Sequence, residues 1–186
     1  MNKRGNLKRG KFIGNYRGQV WVETVIYLLI AFAMMGLVLS FIRPKIEELR
    51  DKAIIEQSLE IMKDIDNLIV TIGSPGNKRL LEVGIRKGSL TINSENDTLL
   101  FEMESRYMYT EPGQTIDIGN IQAITVARGD VNTITLERDF SEEYNLTYKG
   151  EETTKTLAKV SAPYSLYLTN EGRSPSNKII INFDTE

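Results

Sequence analysis

The sequence predicts an α+β protein in which a long N-terminal helix, hydrophobic at first and amphipathic further on, packs on a C-terminal antiparallel β-sheet or β-sandwich head. Three observations predict it: nineteen uncharged residues in a row at 24–42, apolar residues at helical spacing beyond Pro44, and a change to two-residue alternation after Gly73. A length of 186 residues suits one head with an appendage better than two full domains. Cysteine and histidine are both absent, which excludes disulfides, thiolate or imidazole metal ligation and every relay built on those side chains. No cofactor is expected.

The first segment is residues 1–18. It carries Lys3, Arg4, Lys8, Arg9, Lys11 and Arg17 and no acidic residue, whereas the remainder holds 17 basic against 25 acidic side chains. A basic arm of this kind can bind nucleic acid phosphates. The apolar run behind it argues against that partner and for a membrane.

Residues 24–42 read TVIYLLIAFAMMGLVLSFI. As a helix they would span roughly 28 Å, close to a bilayer core of about 30 Å. The run ends in Arg43-Pro44 without a small-residue cleavage site, so it is expected to stay on the protein. The basic flank would hold the N-terminus in the cytoplasm and send the rest across the membrane. Glu23 directly precedes the run, where a carboxylate among apolar neighbours is costly unless it snorkels to water beside Trp21 and Tyr27 or meets a cation.

In this order, the basic leader ending in Arg17-Gly18, then Gln19, Glu23 and the uncharged helix, the stretch from Lys11 to Ile42 resembles the processing and assembly signature of archaeal type IV pilin-like proteins. That class III signal-peptide family also includes archaellins. The resemblance implies that a prepilin peptidase cuts between Gly18 and Gln19, with Arg17 before the cut, and removes residues 1–18 as a leader. It implies that Glu23 then pairs with a freed N-terminal amine, its own or a neighbour's, which compensates a charge in an apolar bundle. The partners implied are membrane lipid before assembly, the pilus assembly machinery, and copies of the chain itself in an extracellular filament for adhesion or motility. Residues 19–43 would serve first as a transmembrane helix and later as filament core. The competing expectation is a monomeric, single-pass, membrane-anchored binding module of the cell envelope.

Residues 44–72 continue the helix. Ile54, Ser58, Ile61, Ile65, Leu68 and Ile72 advance by three or four, and Ile55, Leu59, Met62 and Ile69 widen the stripe. Ion pairs Glu48–Lys52 and Glu60–Lys63 are expected on the other side. Pro44 removes one backbone donor, and Gly73-Ser74-Pro75-Gly76 ends the helix.

Residues 73–186 form the extracytoplasmic head. Leu90/Ile92, Leu99/Phe101/Met103, Ile116/Ile118, Ile134/Leu136 and Leu166/Leu168 alternate with polar neighbours, separated by turn signals such as Glu111-Pro112-Gly113 and Lys149-Gly150-Glu151-Glu152. Seven to nine antiparallel strands are expected, the last hairpin enclosing a loop at 170–177. Glu102 with Glu104, Glu142-Glu143 and Glu151-Glu152 read as solvated acidic faces rather than a catalytic pair or calcium site. Arg128-Gly129-Asp130 reads as a turn, and no Gly-rich phosphate cradle is present. Asn96 and Asn145 head acceptor sequons in or near turns and are candidate N-glycosylation sites. No catalysis is expected of this chain.

Overall fold

An apolar residue that returns every three or four positions can hide one stripe only as a helix. The computed structural model describes residues 16–129 and 131–186, with helix side chains from residue 21 onward, and places that helix, α1, at Tyr16–Thr71. It runs on through Pro44, and the chain divides at Arg43/Pro44 into two units.

In the second unit the stripe is buried as its spacing requires. Ile55, Met62, Ile65, Ile69 and Ile72 are closed off from solvent, with Ile54, Ile61 and Leu68 half-buried at the margins. Each full burial contributes about 1.5–3 kcal/mol before ordering entropy is subtracted. The outer face is laced differently from expectation. Lys45 pairs with Glu48 at 2.6 Å, and Lys52 reaches Glu56 at 3.8 Å while lying 5.6 Å from the Tyr107 ring centre, so Glu48–Lys52 and Glu60–Lys63 are not the pairs formed.

The helix stops at Gly73, whose φ of 77° suits a residue without Cβ. Two amides tie off the orphan carbonyls: Asn77 Nδ2 donates to Ile72 O at 2.8 Å and Asn170 Nδ2 to Gly73 O at 2.7 Å.

Ten strands follow: β1 Lys78–Val83, β2 Ser89–Asn93, β3 Thr98–Ser105, β4 Thr115–Ile118, β5 Ile121–Arg128, β6 Val131–Asp139, β7 Tyr144–Tyr148, β8 Lys155–Ala158, β9 Tyr164–Arg173 and β10 Ile179–Thr185. They form a four-stranded sheet in the order β1-β9-β10-β7 and a six-stranded sheet in the order β4-β5-β6-β3-β2-β8. All pairs are antiparallel except β7 with β10, a correction to the wholly antiparallel expectation. The hairpin with β9 fixes the direction of β10, and β7 joins its other edge across a long connection, which permits a parallel pair.

The last turn is shorter than the expected loop at 170–177, because β9 carries an irregularity opposite Ile180/Ile181 and runs on to Arg173. Both sheets alternate, so Leu90, Phe101, Leu136, Leu166 and Phe183 meet the helix stripe in one shared core. Gly88, at φ 80°, comes so close to β3 that a Cβ would sit 2.6 Å from Met103 Cβ.

Candidate functional site

The N-terminal half of α1 shows the opposite behaviour to its C-terminal half. Side chains from residue 21 to 47 are all exposed, including Trp21, Leu29, Phe32 and Phe41. Successive residues step 100° around a helix, so the run from Val25 to Ile30 alone leaves apolar surface open on every side. The segment is long and apolar enough to cross a membrane. Exposed apolar area of this extent needs an apolar surrounding.

Glu23 sits on this segment. Tyr27, one turn on, donates its hydroxyl to Glu23 Oε1 at 3.1 Å, and among the described residues no cation lies within ion-pair distance of the carboxylate. Arg17, Gly18 and Gln19 belong to the backbone of α1, their side chains lying outside the described residues. Residues 1–15 of the expected leader lie outside them as well.

Two carboxylates that the sequence reading passed over fix the helix to the head. Asp51, 4% exposed, accepts from Lys87 Nζ at 2.6 Å and from the Arg106 backbone N–H at 2.8 Å. Asp66, four turns further along, accepts from Arg138 Nε at 2.7 Å and from Asn120 Nδ2 at 3.0 Å. Both lie on the buried stripe, at positions continuous with Ile55, Met62 and Ile69. An acidic residue at an apolar-stripe position is the signal that could have found them.

The sequons differ in setting. Asn96 is exposed in the turn between β2 and β3, whereas Asn145 lies within β7, half-buried, with its Oδ1 unpartnered. Glu102 and Glu104 are exposed on the outer face of β3, and Glu142 and Glu143 in the turn before β7. Gly129 of the Arg128-Gly129-Asp130 turn has φ 68°, and Asp130 lies outside the described residues. Tyr107 and Tyr109 pack partly against the core, with Met108 exposed between them.

Three titratable groups depart from ordinary behaviour. The Asp139 carboxyl is held low, first by its side-chain and backbone hydrogen bonds with Ser141 and then by Arg138 and Lys178. Burial raises the Tyr109 phenol, helped by Glu56 and Tyr107. Burial also raises the Tyr144 phenol, helped by Glu143 and Asp66 against the opposing effect of Arg138.

A basic cleft of about 450 Å³ opens beside the start of the second unit's helix. Arg50, Arg86, Lys87, Arg106 and Lys159 line it, and two of these cations are already paired, Lys87 with Asp51 and Arg106 with Glu47 at 2.9 Å. No family model matches this chain, and neither a curated protein nor a solved structure shows significant similarity to it. The class defined by the fold is therefore the architectural one: an α+β protein with one long N-terminal helix packed against a mostly antiparallel β domain.

Proposed function

We infer that the chain is a structural subunit of an extracellular filament of the archaeal type IV pilin-like kind, polymerising through its N-terminal hydrophobic helix for surface adhesion or motility. The observation that carries this reading is the exposed apolar surface of residues 21–42, together with Glu23 placed at its start. Lipid can solvate such a helix, and so can a bundle of sister helices; the same surface serves both states in turn. A carboxylate facing lipid whose partner among the described residues is a phenol is poorly compensated, whereas an amine freed by cleavage before Gln19 would neutralise it. The head then faces outward, Asn96 offers an exposed acceptor for glycosylation, and Asn145 a half-buried one. No step of this function requires catalysis.

The test has two parts. Mass spectrometry of the membrane and filament fractions should find a mature N-terminus at Gln19; an intact leader on every copy supports the anchored monomer instead. Glu23→Ala should leave membrane insertion intact and lower filament yield by at least roughly tenfold, since a buried charge pair that loses one partner costs about 2–5 kcal/mol. Wild-type quantities of fibre from that variant remove Glu23 from assembly.

A further inference from the structure

Packed filaments need contacts between heads as well as between helices, and the second unit carries two oppositely charged features at the two ends of its helix. At the near end lies the basic cleft. Arg50, Arg86 and Lys159 in it are exposed and have no ion-pair partner among the described residues, against one unpaired carboxylate, Glu104. Ile46, one turn before Arg50 on the same helix face, is half exposed although apolar.

At the far end is the acidic turn 141–143, with Glu142 and Glu143 exposed at its tip and Glu137 and Asp139 beside it. Its shape is fixed from within. Ser141 N donates to Asp139 Oδ1 at 2.8 Å, Tyr144 N donates to Phe140 O at 3.0 Å, and the buried Phe140 and Tyr144 rings meet edge to face at 5.9 Å. Val70, the exposed apolar residue of this end, borders the same surface. A turn held in this way loses little entropy when it is bound.

We propose that the acidic turn of one copy docks in the basic cleft of the next. The proposal rests on the filament reading and names the head contact within it. Arg50 and Val70 are twenty residues apart on one helix, so the two features are separated by about 30 Å along it. The surfaces involved are different on the two partners. Made head to tail between copies aligned in one direction, such a heterologous contact leaves a free turn at one end and a free cleft at the other, which is what an open fibre requires. Like charges gathered in a cleft repel one another when solvated alone, and a matching acidic partner relieves that repulsion while steering the approach.

Two full-length variants test it, each produced in cells that process and export the chain: Arg86→Glu/Lys159→Glu, which turns the cleft acidic, and Glu142→Lys/Glu143→Lys, which turns the turn basic. Alone, each should lose filament yield by at least about tenfold, because like charges then face each other at every contact. Co-expressed, they should recover to within about twofold of wild type, since each variant's unaltered feature fits the other's unaltered feature and the two reversed features fit each other. Wild-type fibres from either variant alone overturn the contact and leave the filament reading standing. Failure of the co-expressed pair, with both heads protease-resistant, overturns the contact equally. Absence of fibres from the wild-type chain removes the filament reading and the contact together.

Discussion

The two halves of α1 are built from the same helix-forming material and differ in what surrounds them. From residue 21 to 42 apolar residues occupy every face and all are exposed, whereas between residues 51 and 72 the large apolar residues other than Val70 keep to one stripe and the head buries them wholly or in part. The first half is specified by composition and the second by period. A helix apolar all round asks for a surrounding medium, and a helix with one apolar stripe asks for a single neighbouring surface. The difference is therefore between an interaction outside the chain and one inside it.

The largest expected effect separates the halves directly. Ile65→Ala in the buried stripe should cost about 3–4 kcal/mol, from lost burial and the cavity left behind. Leu37→Ala, the same kind of truncation in the exposed half, should change head stability by less than about 0.5 kcal/mol. Denaturant unfolding of the full chain in detergent, followed by the near-ultraviolet signal of the head tyrosines, reads both. Equal losses would mean that the two halves unfold as one and that the contrast is false.

Next in size is the charge lock on the buried stripe. Asp66 and Arg138 are both largely buried, so Asp66→Ala strands a guanidinium and should cost about 3 kcal/mol. The exposed Arg106–Glu47 pair has half of each side chain in water, and Glu47→Ala should cost less than about 0.5 kcal/mol. A double-mutant cycle on each pair gives the coupling. Similar coupling in both pairs would show that burial is not what makes Asp66 matter.

A smaller loss is expected at Gly88. A Cβ there would meet Glu102 O at 2.2 Å, and the positive φ already disfavours other residues. Gly88→Ala should cost about 2 kcal/mol, and because Gly88 follows Lys87, the partner of Asp51, the loss should shrink in an Asp51→Ala background. An additive result would separate the turn from the lock.

Much of this architecture was legible because it is written in periods. The stripe from Ile54 to Ile72 and the alternations at Leu90/Ile92, Leu99/Phe101/Met103 and Ile134/Leu136 each depend on neighbours a few positions away. The stop at Gly73 is equally local. The parallel pairing of β7 with β10 was not legible, since it joins residues about 35 positions apart and nothing in either strand names its partner. Asn170, which ties the helix end to β9, was hidden for the same reason: it reads as a loop residue until the strand irregularity places it against Gly73. Asp51 and Asp66 were legible in principle. What hides them is that a charge within an amphipathic helix ordinarily lies on the solvent side. In the candidate site, the exposure of residues 21–42 follows from composition, whereas the basic cleft gathers residues from positions 47 to 159 and has no local signature.

The smallest effect is the pH dependence of the head, and it ties the buried half of the helix to the sheets. Asp139 has a lowered pKa, so its contribution is present above the ordinary carboxylate range, near pH 4, and is lost as pH falls through its depressed value. Tyr109 and Tyr144 have raised pKa values, so their contribution is complete below about pH 10 and is lost as pH rises through the raised values. For these three groups the unfolding midpoint should be level between about pH 5 and 9 and fall on both sides. Tyr144→Phe keeps the ring against Phe140 and removes the titrating hydroxyl, so the alkaline fall should become shallower, with Tyr109 supplying what is left. Asp66→Asn acts from the helix: burial remains the main cause of the raised Tyr144 pKa, but one of the charges adding to it is gone, so the alkaline fall should be slightly shallower and level off at slightly lower pH. An alkaline limb unmoved by Asp66→Asn would show that the helix carboxylate acts on Arg138 and Asn120 alone and that its charge is not felt at the turn before β7.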